Sequence, residues 1–138
     1  MKKINKIVII AIVFVLCIIS IFMMIKYENK SENENKNNYT ISVIIEDNKN
    51  QELYNQKVET NKTKLVDVLE ELNVDLKVED GDYGAYITSL MGIDQISDDN
   101  GMYYWSYYIN DEYANEGISS CEIKNNETYK FVYEYFAN

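Results

Sequence analysis

From Ile7 to Ile25 the chain carries no charged residue, and only Ser20 interrupts an otherwise apolar run. As a helix rising 1.5 Å per residue, such a stretch reaches about 28 Å, close to the roughly 30 Å hydrocarbon thickness of a bilayer. The segment that follows, KYENKSENENKNN, has almost nothing apolar to bury. Together these features leave only about 100 residues to form a globular unit, one small domain with a modest core.

Lys2, Lys3 and Lys6 precede the apolar run, and a basic flank favours the cytoplasmic side. A cleaved signal peptide would have an apolar region of about 7–15 residues and small residues before the cut. Phe22, Met23, Met24 and Ile25 occupy that place instead. A lipoprotein would carry its lipid on Cys17, but bulky Leu16 stands immediately before it. The sequence therefore predicts a basic cytoplasmic tail (1–6), an uncleaved transmembrane signal anchor (7–25), a disordered tether (26–38) and a domain outside the cell (39–138). A cleaved signal and a lipid anchor are the alternatives. The expected localisation is the cell membrane, crossed once, with the N-terminus in the cytoplasm.

All 23 acidic residues lie after Lys26, against only nine of the 13 lysines, so the outer part carries a net charge of −14. Nucleic acid is an unsuitable partner for such a surface, and solubility is the plainest consequence of the charge. Between Lys77 and Lys124 there are ten acidic residues and no basic one. A ligand meeting this segment should be neutral or cationic.

The chain has no His, which removes Ser-His-Asp, Cys-His and His-metal chemistry together. Ser106, Ser119 and Ser120 lie in no G-x-S-x-G frame, and no phosphate-cradling Gly motif occurs. Asp80 with Asp82, and Asp98 with Asp99, fall among turn residues and read as solvated turn carboxylates. Cys17 and Cys121 sit in different parts of the chain, so no internal disulfide is expected and Cys121 reads as a small buried hydrophobe. An enzyme is not expected, nor a metal or catalytic cofactor.

Ile41, Val43 and Ile45 alternate with Thr40, Ser42 and Glu46, the period of a half-buried strand. ELYNQKVE is a weaker strand beyond the turn DNKN. Leu65, Val68, Leu69 and Leu72 then form one helical stripe, which Thr63 is expected to cap and Asn73 to end. From Val74 to Phe136, short strands alternate with the turns EDGDYG, SDDNG, NDEYANEG and KNNE. This order predicts an α+β domain, in its simplest form a sheet curled around one amphipathic helix.

Five rings crowd the six positions from Tyr103 to Tyr108. On a strand, Tyr103, Trp105, Tyr107 and Ile109 share the face that belongs to the core, leaving Met102, Tyr104, Ser106 and Tyr108 on the other. Those outer rings either pair with neighbouring strands or form a platform for a planar ligand. Tyr129, Phe131, Tyr133 and Tyr135 share a face of the last strand and extend the aromatic wall.

Four blocks in order, YGAYITSLMGI, YYWSYYIND, NEGISSCEI and YKFVYEY, resemble the transcobalamin-like C-terminal domain family. This family occurs in many bacterial surface proteins and in the vitamin carriers intrinsic factor and transcobalamin, and the resemblance spans roughly Thr40 to Tyr135. It implies a β-grasp-like domain with a mostly antiparallel sheet, and contact positions at Tyr104, Trp105, Ser106, Tyr107 and Tyr108. It also suggests Tyr86 and the turn Asn115, Glu116 and Gly117. The implied ligand is cobalamin or a related corrinoid, nearly neutral and rimmed with amides; the helical barrel that covers the rest of the vitamin in the carriers is missing. Strand parity, by contrast, makes Trp105 structural.

Two functions follow as expectations. One is a membrane-anchored extracellular module that contacts a corrinoid, with a transporter or surface protein as partner. The other is an interaction module whose aromatic wall anchors a protein or a cell-surface polymer, without a small ligand.

Overall fold

The computed structural model describes residues 16–20 and 38–138. Residues 16–20 are helical. The basic tail, most of the expected anchor and nearly all of the expected tether lie outside the described residues; within those, no helix is long and apolar enough to cross a membrane.

Residues 38–138 form a mixed α+β unit, mostly sheet. The strands are β1 (Tyr39–Glu46), β2 (Glu52–Thr60), β3 (Lys77–Glu79), β4 (Tyr86–Leu90), β5 (Ile93–Asp94), β6 (Ile96–Asp98), β7 (Gly101–Ile109), β8 (Glu112–Tyr113) and β9 (Thr128–Ala137), and the helix α1 (Leu65–Glu71) follows β2. The larger sheet runs β2-β1-β9-β7-β6, with β8 also on β7. Every pairing in it is antiparallel except that of β1 with β9, which runs parallel from Ser42 beside Thr128 to Glu46 beside Val132.

Local chemistry explains the main elements. The β1–β2 turn closes on Asp47, whose Oδ1 accepts the N–H groups of Lys49 and Gln51, both at 2.8 Å, while Asn50 takes a left-handed φ of 58°. Alternation places Ile41, Val43 and Ile45 of β1 and Tyr129, Phe131 and Tyr133 of β9 on one face, where they meet Leu65, Val68 and Leu69 of α1 in a continuous core. Each such side chain, fully buried, contributes about 1.5–3 kcal/mol relative to exposure. Cys121 is 1% exposed and belongs to the same core.

Two features depart from the sequence reading. Thr63 does not cap α1: the N-cap is Lys64, in extended conformation and with no side-chain cap bond. The reason is tertiary, because Lys64 is bridged to Glu122, and the first helical N–H groups, Leu65 and Val66, donate to the Cys121 and Ile118 carbonyls at 3.0 and 3.3 Å. A loop far along the sequence satisfies the donors that a Thr63 hydroxyl would serve. Secondly, the strands do not make one sheet; β3, β4 and β5 form a separate three-stranded sheet.

Candidate ligand-binding cleft

Strand β7 has neighbours of unequal length. Along one side it pairs with β9 over its whole extent, from Gly101 beside Ala137 to Ile109 beside Tyr129. On the other side β6 reaches only to Tyr103, and β8 begins only at Tyr108. Between Tyr104 and Tyr107 the edge of the sheet is therefore interrupted, and there the Ala114 N–H donates to the Tyr107 carbonyl at 3.0 Å.

A cleft of about 560 Å³ opens at this gap, bounded by β7, by the segment Gly81–Ile87 and by the segment Ala114–Ile118. The two segments are stitched together. Gly117 N–H donates to the Tyr83 carbonyl at 2.7 Å, Ile118 N–H to the Ala85 carbonyl at 2.8 Å, and Ala85 N–H to Ser119 Oγ at 2.7 Å. The approach is too close for side chains: a Cβ on Gly117 would lie 2.3 Å from the Gly84 carbonyl carbon, and Gly84 itself adopts φ +104°. Glycine is required at both positions.

The rings of the cleft are fixed differently on its two sides. Tyr86, half exposed, donates its hydroxyl to Glu79 Oε2 at 2.7 Å, and this bond to a carboxylate holds its pKa above the usual tyrosine value. Tyr104 is half-buried, and desolvation, with smaller contributions from Tyr113 and Glu134, pushes its pKa up to about 12. Tyr107 is buried and donates to the Glu116 carbonyl at 2.8 Å; burial raises its pKa as well. These phenols are donors, not bases, at neutral pH. Among the lining residues Asp82 and Glu116 are the charged ones, and no lysine is present.

Eight of the nine positions singled out from sequence line this cleft: Tyr86, Tyr104, Trp105, Ser106, Tyr107, Asn115, Glu116 and Gly117. Tyr108 does not; its ring stands edge-on to Tyr113, with centroids 5.6 Å apart, and its hydroxyl donates to Glu134. Trp105 is 6% exposed and donates its indole N–H to the Ile93 carbonyl at 2.9 Å, which is the structural position parity assigns to it. Sequence reasoning missed Tyr83, Met102 and Tyr113 as lining groups. Tyr113 had a legible signal: Asn110 and Asp111, with φ of 51° and 70°, make a two-residue hairpin turn that sets Tyr113 opposite Tyr108.

Among the described residues no group of three or more Cys, Asp or Glu is arranged to hold a metal ion. Asp98 instead closes its turn, its Oδ1 accepting the N–H of Asn100 at 2.8 Å and of Gly101 at 3.1 Å.

Residues 62–134 match the family described as a domain of unknown function, DUF4430. No match is found among curated proteins. Among solved structures, a candidate metal binding protein from Ruminococcus gnavus is similar with a TM-score of 0.62 and 18% identity, covering 71% of this chain and 98% of that one. Haptocorrin, solved in complex with Cbi, is similar with a TM-score of 0.61 and 17% identity over 75% of this chain. The match spans 26% of the haptocorrin chain. At these identities the likeness is one of fold.

Proposed function

The chain belongs to the DUF4430 family and has a transcobalamin-like domain, and from that footing we propose that it is a binding module, membrane-anchored and extracellular, whose ligand occupies the cleft at the interrupted edge of β7. The ligand is a corrinoid. The domain is β-grasp-like in the sense that a hairpin and a helix precede a last strand lying parallel to the first.

The observation that carries this reading is the cleft itself. Its volume falls within the usual range for small-molecule sites, roughly 300–1,000 Å³. It is walled by Tyr86, Tyr104 and Tyr113 and lacks any basic group. An amide-rimmed, nearly neutral macrocycle suits such a wall, and haptocorrin, which shares the fold, is seen with Cbi. A cleft of this size takes only one side or edge of a corrinoid, so a second protein completes the enclosure. Binding rather than catalysis is the use we infer for it. The apolar run 7–25 supplies the anchor, with the basic residues 1–6 in the cytoplasm.

The test is a titration of the chain with cobinamide and with cobalamin, following the fluorescence of Trp105, the single tryptophan, with correction for corrinoid absorption. Saturable quenching is expected. No response up to about 1 mM, an affinity of only about 4 kcal/mol, would sink the corrinoid reading.

A second reading rests on exposed rings. Tyr83 is 79% exposed and Tyr86 stands beside it on the rim, an arrangement suited to anchoring a protein or a surface polymer. Loss of binding to whole cells on replacing Tyr83, with corrinoid binding absent, would select that reading.

A further inference from the structure

On the outer face of the large sheet, Tyr104 stands opposite Glu134 across β7 and β9. Tyr108 donates its hydroxyl to Glu134 Oε1 at 2.7 Å, and Tyr104 donates to Oε2 at 3.4 Å. Between them in the strand lies Ser106, 4% exposed, its small side chain leaving room for the two rings to close over it. Tyr113, opposite Tyr108, adds a third ring and is half exposed. One carboxylate is thus held by two phenols among three aromatic rings.

This half-buried carboxylate has phenol donors but no cation partner among the ion pairs of the described residues. On β7 and β9 the lysine of this face is Lys130, opposite Tyr108, but its Nζ lies 3.1 Å from Glu46 Oε2. The other ion pairs among the described residues join Lys64 to Glu122 and Lys77 to Asp94, and none includes Glu134. The phenol hydroxyls spread the negative charge without cancelling it. Ring faces carry the same sign of potential as the carboxylate and attract cations, so the charge and the three rings act together.

The geometry points to Glu134, Tyr104, Tyr108 and Tyr113 as a recognition site for an ammonium group, either a protonated primary amine or a quaternary amine. Two of its members, Tyr104 and Tyr113, also border the cleft, but the site needs no occupant there. Its ligand is a cation, whereas the corrinoid proposed for the cleft is nearly neutral.

The experiment uses the full chain in an uncharged detergent. Backbone amide shifts of Tyr104, Tyr113 and Glu134 are followed by NMR while tetramethylammonium chloride is added, and in a parallel arm the methylamide of N-acetyl-lysine. Sodium chloride and a neutral tert-butyl alcohol serve as matched controls. Saturable shifts are expected with half-saturation at about 1–10 mM in at least one cation arm, and the arm that binds tighter identifies the amine class. E134Q should weaken binding at least tenfold. Tyr113→Leu, which removes an exposed ring outside the core, should weaken it several-fold with unchanged thermal unfolding. Equal responses to the neutral alcohol, no saturation by about 100 mM, or an E134Q variant that is folded and binds undiminished would overturn the assignment. Ammonium binding without any corrinoid response leaves this inference standing and removes the earlier one; the reverse result does the opposite.

Discussion

The indole N–H of Trp105, in the large sheet, donates to the carbonyl of Ile93, in the small sheet, at 2.9 Å. A second link runs beside it: the Tyr133 hydroxyl donates to the Asp94 carbonyl at 2.8 Å, and the Trp105 and Tyr133 rings lie 5.1 Å apart. The two sheets are joined by the aromatic residues whose density first marks the sequence.

Trp105→Phe should therefore act on stability before it acts on binding. It removes the donor to the part-buried Ile93 carbonyl and leaves space unfilled, which together should cost about 2–4 kcal/mol. Urea unfolding followed by circular dichroism measures it. A loss below about 0.5 kcal/mol, the range of ordinary surface substitutions, would show that the link is dispensable.

Gly117→Ala places a methyl group against the Gly84 carbonyl carbon and the Ala85 oxygen. Overpacking of this kind costs about 1–3 kcal/mol, and here it should also spread the two segments that bound the cleft. The variant should melt earlier and bind any cleft ligand more weakly, whereas Gly92→Ala, strained by its φ of +75° but outside the cleft lining, should melt earlier and leave cleft binding unchanged. Differential scanning calorimetry and ligand titration read both effects.

Tyr86→Ala should separate binding from folding. The ring is half exposed and its bond to Glu79 lies at the surface, so stability should change little. If the cleft is the ligand site, affinity should fall about tenfold. An unchanged affinity would place the ligand elsewhere.

Alkaline pH should destabilise the domain through its phenols. Tyrosines of an unfolded chain ionise near pH 10. Burial, with Tyr113 and Glu134 beside it, holds Tyr104 protonated up to about 12, and burial likewise raises Tyr107 and Tyr129. The folded state thus keeps protons that the unfolded state has released. The stability from these groups is complete below about pH 10 and declines as pH rises through the folded values. Urea midpoints measured from about pH 8 to about pH 12 should fall in the upper part of the range, and less steeply for Tyr104→Phe. A flat profile would contradict the burial of these hydroxyls.

Much of the fold is written in short-range patterns. The alternation in β1, β7 and β9 correctly separates Ile41, Val43, Trp105, Tyr107, Tyr129 and Phe131 from their outward neighbours, and the stripe Leu65, Val68, Leu69 marks the buried side of α1. Such patterns are local because a strand or helix fixes its own period. The two-sheet division is not local, since β3, β5 and β6 have only two or three residues each and carry no period. The cap on α1 failed for a related reason, its hydrogen-bond partners lying in the loop at Ile118 and Cys121. Among the candidate contacts, eight positions were readable as neighbours of one interrupted strand edge. Glu134 was not: in sequence it is one more acidic residue on a polar strand face, and only the pairing of β7 with β9 sets it opposite Tyr104.

The interruption in the edge of β7 has a further consequence for behaviour in crowded surroundings. A continuous open edge invites another chain to add a strand and begin aggregation. Here β6 covers the edge up to Tyr103 and β8 resumes at Tyr108, so an intruding strand finds a landing of only four residues, with Ala114 already bonded to one of them. The window admits a compact guest and refuses a polymerising one.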